Sequence, residues 1–310
     1  MPRTAVISLL AAMLWWGGGF VVRAGPEPVW RQELTPLFPI VSTTAVKPPP
    51  LAGTAHYRFG WMKWSAATAK LTFNPQAAPN EARIELTAST IGPVRNLWRL
   101  DASAYAVADA ARLLPLRSRQ VEYYKRRTVI SATEFLPGKV LHGKGRIAGP
   151  LPAGFYDDRA LSREEIASCV GGKVRRLKFD DLLDMHTALL RTRLHPLNAG
   201  DRLCYVVYHD AYPYLARVEV VGRETLRLRN GTLHPAIRLR LDLQWIDRDG
   251  CLQEHKRFRG AYGWLSDDTL RLPLKIESEI FVGSVWVELE RYLPPVGQSA
   301  RLEVGTTGGI

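Results

Sequence analysis

The sequence predicts a mainly β fold: an antiparallel, strongly curved sheet or barrel of roughly ten to twelve strands with one substantial helix. Apolar residues recur at every second position in many short stretches, most regularly from Ile237 to Trp245. Such alternation places each set on one face of a sheet. The connections between these stretches are too short for parallel crossovers. Sustained helical spacing occurs in one place, so we expect that helix to pack on the sheet or plug the barrel.

The first 24 residues have the form of a secretory signal peptide. Arg3 precedes an apolar stretch from Ala5 to Val22, and small residues stand where a signal peptidase reads, so we expect cleavage near Ala24. An uncleaved membrane anchor is the alternative, because an apolar stretch of this length can just span a bilayer. Both interpretations predict a periplasmic or otherwise exported protein.

Composition shifts divide the rest of the chain. Residues 25–53 are rich in proline and are predicted to form an extended spacer. A single β-rich domain is expected over 54–293, with a Gly- and Pro-rich insertion near 138–170. Residues 294–310 are expected to form a loose tail.

The net charge of +12 over 310 residues favours anionic partners. Apolar residues make up 46%, enough to build a core and to exclude global disorder. An exported chain does not meet nucleic acid. The expected partners are therefore a lipid, an anionic envelope polymer, the membrane surface or an envelope protein.

The predicted strands follow the alternating stretches in order. Asn230-Gly231 and Asp249-Gly250 mark turns between strands. Pro273 cannot donate to a ladder, so its strand is expected at an edge or with a bulge. The approximate strand ranges are 57–61, 67–73, 84–88, 97–108, 117–125, 128–135, 203–208, 214–221, 224–229, 237–245, 270–276 and 285–289.

Two helices are predicted. Ser162 and Glu165 form a capping-box pattern that opens a short helix ending near Cys169. The substantial helix is expected from Asp180 to about Arg191, with acidic residues at its positive N-terminal end. Its helical spacing is carried by Leu182, Leu183, His186, Leu189 and Leu190.

Ser266-Asp267-Asp268 follows Trp264 and precedes an alternating strand. A catalytic acid pair is one interpretation, which would make the protein an envelope-polymer hydrolase. Adjacent strand residues point to opposite faces, however, and Ser and Asp side chains commonly bond to backbone N–H groups in turns. We therefore interpret Ser266, Asp267, Asp268 and Pro273 as a structural motif and assign no catalytic residue.

Aromatic and basic side chains are the candidate ligand-binding groups. A curved sheet with a helix could enclose an apolar groove for an acyl chain, with Arg and Lys at its mouth. Basic residues beside an anionic lipid surface are each worth about 1 kcal/mol. The candidates are Trp61, Trp64, Tyr123, Lys125, Arg126, Arg127, Arg191, Arg193 and Trp264.

No metal or cofactor is predicted. His186, His195 and His209 could join Asp180 and Asp184 in a metal site, but no metal-binding His spacing occurs. No G-x-S-x-G elbow or phosphate loop is present.

The three cysteines, Cys169, Cys204 and Cys251, could supply one disulfide in an oxidising compartment. We favour small buried side chains instead, because no spacing resembles a redox pair.

A weak internal repeat is present. Leu114-Pro115-Leu116-Arg117 and Leu272-Pro273-Leu274-Lys275 each follow a Trp and an Asp in the same order. The repeat predicts two similar hairpins in one sheet.

These motifs, in this order, resemble the DUF3108 family of exported bacterial proteins over about residues 54–293. The family is named for having no assigned function, so the resemblance implies export and a β-rich fold, and no catalytic residues. The Trp, Asp and Leu-Pro strand is also similar to one in periplasmic lipoprotein carriers, whose curved sheets hold acyl chains. The motifs that carry the family resemblance are Tyr57-Arg58-Phe59-Gly60-Trp61, Leu114-Pro115-Leu116, the Asp180–Arg191 helix, Gly200-Asp201, Gly222-Arg223-Glu224, Gly231-Thr232, and Trp264 to Asp268 with Leu272-Pro273.

The expected function is a non-catalytic binder of an amphipathic or anionic envelope ligand, such as a lipid or lipoprotein. An assembly factor that offers an edge strand to a protein partner is a further alternative, alongside the hydrolase.

Overall fold

The computed structural model describes residues 29–35, 50–177, 179, 182–209, 212–254, 260–279 and 283–295. The predicted signal peptide and most of the predicted tail lie outside these ranges. Sixteen strands are described: β1 Gly53–Trp61, β2 Trp64–Ala78, β3 Glu81–Thr90, β4 Leu100–Asp109, β5 Pro115–Tyr124, β6 Arg127–Leu136, β7 Lys139–Ile147, β8 Val174–Leu177, β9 Leu182–Asp184, β10 Arg202–His209, β11 Tyr212–Arg227, β12 Leu233–Ile246, β13 Leu252–Glu254, β14 Ala261–Ser266, β15 Pro273–Glu279 and β16 Ser284–Leu293.

Three α-helices accompany the strands: α1 Gly92–Leu97, α2 Arg163–Val170 and α3 Met185–Leu194. A 3-10 turn covers Val29–Glu33. None of the helices in the described ranges is long and apolar enough to cross a membrane. Because the strands contain far more of the described residues than the helices do, the prediction of a mainly β fold is confirmed.

The strand number exceeds the predicted ten to twelve. The extra strands β8, β9 and β13 have only three or four residues each. Strands this short show no alternation of their own, because they form by pairing with a neighbour already in place. β7, in the segment interpreted as an insertion, and β14 are further strands outside the predicted ranges, whereas β11 is one strand where two are predicted.

All strands join one sheet in the order β8-β7-β6-β5-β4-β3-β2-β1-β16-β15-β14-β12-β11-β10-β9, with β13 beside β12. Neighbours are antiparallel, except that β9 pairs with β10 in parallel. The expectation that no parallel crossover occurs is wrong at this point. α3 connects β9 to β10, so the chain forms a β-α-β unit at this edge of the sheet.

α3 begins five residues later than predicted. Leu182 and Leu183, which fit the helical spacing, instead pair with Val206 and Val207 of β10. Asp184 caps the helix by accepting a hydrogen bond from the Thr187 backbone N–H at 2.7 Å. Asp180 and Asp181 lie outside the described residues.

The hairpin predictions are confirmed. β11 and β12 join at Asn230-Gly231, where Gly231 has φ +88°. β15 and β16 form the last hairpin. β15 lies between β14 and β16, so the edge-strand alternative for Pro273 is wrong. The bulge alternative is right, since the register shifts where Leu265 meets Pro273.

The register defines an inner face of the sheet. One row of partners runs from Phe59 through Val287, Ile276 and Gly263 to Leu239. Side chains of this row face α3, which lies inside the curve of the sheet. The helix therefore plugs the interior.

The sheet is rolled rather than closed, because its two ends overlap. Tyr208 of β10 points away from the inner face, on which Tyr205 and Val207 lie. Its ring packs at 5.8 Å from Phe135 of β6 and at 5.7 Å from His142 of β7. The β6–β7 end thus covers the outer face of β10, and the described edge strands β8 and β9 are not paired with each other.

α2 packs on the outer face of β7 and confirms the predicted capping box. The Ser162 hydroxyl accepts from the Glu165 N–H at 3.2 Å, and the Glu165 carboxylate accepts from the Ser162 N–H at 2.7 Å. The helix approaches so closely that a Cβ on Gly145 would lie 1.6 Å from the Val170 carbonyl oxygen. Glycine is therefore required at this position.

Residues 151–161 cover the outer face of β4 to β6 and are held there by ion pairs and a backbone hydrogen bond. Arg117 bonds to Glu81 and to Asp158, each at 2.7 Å. Arg119 and Glu134 form a pair whose side chains are 0% and 2% exposed. Glu134 also accepts from the Leu161 N–H at 3.0 Å, so this pair ties the segment to the sheet.

Part of the predicted Pro-rich spacer contacts the domain. Trp30 is buried, and its indole donates to the Gly250 carbonyl at 2.8 Å. Thr35 pairs with Cys204 of β10, its N–H donating to the Cys204 carbonyl at 2.8 Å. All three cysteines are free thiols, but the expectation of buried side chains holds for Cys204 alone, since Cys169 is half-buried and Cys251 is exposed.

Candidate functional site

An apolar cavity of about 220 Å³ lies between the inner face of the sheet and α3. Its walls come from β1, β2, β10–β12 and β14–β16 on one side and from α3 on the other. They are mostly aliphatic and aromatic, as illustrated by Phe59, Leu71, Phe73, Tyr205, Leu239 and Ile276.

The size of the cavity is sufficient for an apolar ligand. Protein interiors are normally close-packed, with few voids larger than a water molecule. A dry apolar cavity of about 150 Å³ in another protein binds benzene. The larger space here can hold a substantial part of a hydrocarbon chain.

Few polar groups serve the cavity. The Tyr57 hydroxyl at its wall donates to the Pro273 carbonyl at 3.0 Å. Burial raises the pKa of Tyr205 to about 12, while the nearby Thr192 hydroxyl lowers it. The Tyr205 hydroxyl has no partner of normal hydrogen-bond geometry among the described residues. The Tyr205 ring lines the cavity, while its hydroxyl is buried beside Thr192.

Two wall residues are fixed from outside the cavity. The Trp264 indole donates to Glu224 at 2.6 Å. The Lys275 ammonium contacts Glu277 at 2.8 Å and Glu288 at 3.4 Å. These contacts engage the indole N–H of Trp264 and the ammonium group of Lys275. Both residues therefore contribute the apolar parts of their side chains to the cavity wall.

The site contains no recognisable catalytic or metal-binding set. His186 lines the cavity half-buried, while His195 ends α3 and its carbonyl accepts from Arg271. Across the described ranges, no group of three or more His, Cys, Asp or Glu side chains could hold a metal ion.

Arg191 and Arg193 hold the helix in place instead of standing at a cavity mouth. Arg191 donates to the carbonyls of Arg112 and, at 3.0 Å, Leu113, in the β4–β5 connection. Arg193 donates to the carbonyls of Leu270 and, at 3.1 Å, Arg271, in the β14–β15 connection. The two arginines thus clamp α3 to two different hairpins.

These hairpins are the two copies of the weak repeat. Leu113 and Arg271 each precede a Leu-Pro pair, and both adopt the left-handed conformation, with φ of 48° and 47°. That backbone conformation is rare for residues with a Cβ. It presents two successive carbonyls to an arginine of α3 in each copy, so the repeat has a structural purpose.

Arg271 completes the clamp from the opposite direction. Its guanidinium donates to the Arg193 carbonyl at 2.5 Å and to the Pro196 carbonyl at 3.2 Å. These carbonyls belong to the C-terminal end of α3, where backbone acceptors lack partners within the helix. Burial, reinforced by the positive charge of Arg271, lowers the pKa of Arg193 to about 10.

We expect Arg193→Met to destabilise the fold by about 2 kcal/mol, because two partly buried carbonyls lose a charged donor. Chemical denaturation monitored by tryptophan fluorescence measures this change. Arg202→Met is the matched control, since the Arg202 side chain is 81% exposed, and it should change stability little. Equal stability of the two variants would contradict the clamp.

Ser266, Asp267 and Asp268 lie at a turn. The Asp268 carboxylate accepts from the Leu270 and Arg271 N–H groups, each at 2.9 Å, and Asp267 pairs with Arg223 at 3.0 Å. Neither acid lines the cavity. The geometry therefore gives no support to a catalytic role for them.

The remaining candidate residues lie apart from the cavity. Trp61 and Trp64 flank the β1–β2 hairpin tip, and Tyr123, Lys125, Arg126 and Arg127 form the β5–β6 tip. Of the nine predicted ligand-binding residues, Trp264 alone is on the cavity wall. The sequence does not identify the aliphatic wall of the cavity, because alternating Leu, Val and Ile residues occur in any buried sheet.

The family resemblance is confirmed over part of its predicted extent. Residues 173–290 match the family model described as "Protein of unknown function (DUF3108)". This segment runs from β8 to β16 and includes α3, most of the cavity wall and the β14–β15 copy of the repeat. A search of curated proteins finds no significant match.

Several solved structures are distantly similar to the chain. A β-barrel-like protein of the domain of unknown function DUF1849 from Brucella abortus has 9% identity and a TM-score of 0.49, covering 80% of this chain and 99% of that one. A proposed lipoprotein from Parabacteroides distasonis has 8% identity and a TM-score of 0.31, with coverages of 81% and 100%. A proposed exported protein with a YmcC-like fold from Bacteroides fragilis has 12% identity and a TM-score of 0.24, with coverages of 81% and 100%.

Proposed function

We propose that this chain, whose residues 173–290 match the DUF3108 family model, is an exported, non-catalytic carrier that holds the acyl chain of an amphipathic envelope lipid. The observation that carries the proposal is the apolar cavity of about 220 Å³ between the inner face and α3. Apolar ligands bind in such cavities because burial removes their surface from water.

The polar groups around the cavity agree with a carrier. A hydrolase needs a nucleophile and a base within hydrogen-bond reach of one substrate atom. The cavity walls instead offer isolated groups, such as Tyr205 and His186. These can orient a headgroup or the end of a chain, but they form no acid–base pair.

The arginine clamp also supports a carrier. Arg191 and Arg193 attach α3 through main-chain carbonyls at its C-terminal end, while the N-terminal half of the helix, around Met185 and His186, faces the cavity. The N-terminal end is held as well, because β9 directly before α3 pairs with β10, so the helix forms a fixed wall of the cavity.

The proposal predicts that ligand affinity depends on chain length. Each buried methylene contributes about 0.8 kcal/mol, so two added carbons should tighten binding roughly tenfold until the cavity is full. Competition of saturated fatty acids with a fluorescent fatty acid measures the series. Affinity that does not change with chain length would contradict the proposal.

Purification from a membrane-containing extract provides an independent test. Mass spectrometry of the purified protein under native conditions should show bound lipid in stoichiometric amount. Protein that is free of lipid, and that takes up none when mixed with lipid, would overturn the carrier function.

A further inference from the structure

Three connections lie at the same end of the sheet. They are the β1–β2 hairpin, the α1 segment between β3 and β4, and the β5–β6 hairpin. These strands form an antiparallel meander, so every second connection must fall on the same end. We call the surface formed by residues 61–64, 92–99 and 123–127 the rim.

The rim concentrates exposed apolar side chains. Ten large hydrophobic side chains are exposed among the described residues, and five of them belong to the rim. Single exposed hydrophobic residues are ordinary, but several at one end of a sheet indicate an interaction surface. The five are Trp61 (43% exposed), Met62 (49%), Trp64 (68%), Leu97 (90%) and Tyr123 (41%).

The β1–β2 tip is held outward by its own contacts. Trp61 and Trp64 are cross-strand partners, and Met62 between them has a φ of 51°. The Met62 carbonyl accepts from the Trp286 indole at 2.8 Å, and its N–H donates to the Ser284 carbonyl at 2.8 Å. These contacts fix the backbone of the tip in a position that leaves the Trp61, Met62 and Trp64 side chains exposed.

The α1 segment is fixed in a similar way. Arg95 forms two hydrogen bonds to the Asp101 carboxylate, at 2.7 and 2.9 Å, and this contact holds the pKa of Asp101 at about 2. Leu97, two residues after Arg95, is left facing solvent.

The charge of the rim is positive. Lys63, Lys125 and Arg126 are exposed, and Arg127 stacks on Tyr124 at 4.7 Å. The nearby acids are already engaged. Asp101 is paired with Arg95 and Arg99. Glu122 is buried and accepts from Gln120 and Tyr124.

We propose that the rim docks onto the surface of an anionic phospholipid bilayer. Trp and Tyr side chains favour the membrane interface, and basic residues are attracted to anionic headgroups. The rim presents both kinds of side chain together, on three connections that the sheet aligns. This goes beyond the proposed carrier function and does not depend on it, because the rim residues do not line the cavity.

Hydrogen–deuterium exchange of the full chain bound to vesicles tests the proposal. It reports protection peptide by peptide, so binding through the rim can be distinguished from binding through the apolar N-terminal stretch. With phosphatidylglycerol in phosphatidylcholine vesicles, peptides covering residues 61–64, 92–99 and 123–127 should gain protection. The connections at the opposite end of the same meander, 78–81 and 110–114, should not. High salt should reduce the protection, since it screens surface charge.

Two variants sharpen the test. Trp64→Ser combined with Leu97→Ser should lower the rim protection at least tenfold at a given lipid concentration. The matched control combines Val221→Ser with Leu293→Ser, two exposed hydrophobic residues outside the rim, and it should behave as the wild-type protein. Both variants should unfold at the same denaturant midpoint as the wild-type protein, because all four side chains are exposed.

Three results would overturn the proposal. The first is vesicle binding without protection of the rim. The second is equal protection by vesicles of phosphatidylcholine alone. The third is rim protection by envelope protein in the absence of lipid, which would assign the rim to a protein partner.

Discussion

Gly263→Phe is expected to abolish fatty-acid binding while leaving the protein folded. Gly263 lies in β14 on the inner face and lines the cavity. A Cβ placed there would meet only the Leu241 side chain, at 3.6 Å, which is ordinary contact. Its backbone is not in the left-handed region that favours glycine. A phenyl ring at this position would therefore extend into the cavity and occupy the space proposed for the acyl chain.

The expected loss is at least tenfold in the dissociation constant of a fluorescent fatty acid, equivalent to about 1.4 kcal/mol. Stability should be unchanged or slightly higher, because a side chain replaces empty space and glycine weakens strand interiors. Gly263→Ala is the matched control, since one methyl group leaves most of the cavity open. If Gly263→Phe binds as tightly as Gly263→Ala, the acyl chain does not occupy this cavity.

Arg119→Met is expected to destabilise the fold by about 3–5 kcal/mol, the usual result of removing one partner from a buried ion pair. Arg119 and Glu134 are almost completely buried. The substitution leaves the Glu134 carboxylate without its cation and weakens the attachment of residues 151–161. Chemical denaturation at neutral pH measures the change.

The penalty should depend on pH. Burial raises the pKa of Glu134, and Arg119 opposes that rise in the original protein. Without Arg119 the pKa rises further in the folded state and stays ordinary in the unfolded state. The folded state then binds the proton more tightly, so the variant should regain stability as the pH falls toward about 5 and lose it as the pH rises.

A double variant separates the pair from its surroundings. Arg119→Met combined with Glu134→Leu removes both charges, and apolar replacement of a buried pair is often close to neutral. The double variant should therefore be more stable than Arg119→Met alone at neutral pH. A double variant less stable than the single one would show that Glu134 stabilises the segment through Leu161, independently of Arg119.

The local features of the fold were predictable from the sequence because nearby residues determine them. The Asn230-Gly231 hairpin needs only a residue that tolerates positive φ. The capping box of Ser162 and Glu165 needs only the spacing of two side chains. The turn at Asp268 follows from a carboxylate close to two backbone N–H groups.

The larger features were not predictable in this way. Leu182 and Leu183 fit a helical spacing, but pairing with β10 places them in a strand, because tertiary pairing overrides a short local pattern. The overlap of β6 and β7 on β10 depends on contacts such as Phe135 with Tyr208, which no alternation encodes. The rolled shape is therefore a property of the whole sheet.

The candidate site illustrates the same limit. The sequence identifies Trp61, Trp64 and Tyr123 as candidate binding residues. Their location at the same end of the sheet, however, follows from the order of the strands. Arg191 and Arg193 were selected for their charge, whereas their partners are main-chain carbonyls. The repeat around the two Leu-Pro pairs was the one sequence signal for these contacts.

The central claim, that the space between the inner face and α3 holds an acyl chain, is tested most directly by photo-crosslinking. A fatty acid carrying a diazirine near its methyl end is bound to the full chain and irradiated, and labelled peptides are identified by mass spectrometry. The account predicts labelling of inner-face residues such as Leu239, Leu241 and Ile276, and its loss in Gly263→Phe. Labelling confined to the rim or to the outer face, with these three residues unlabelled, would contradict it.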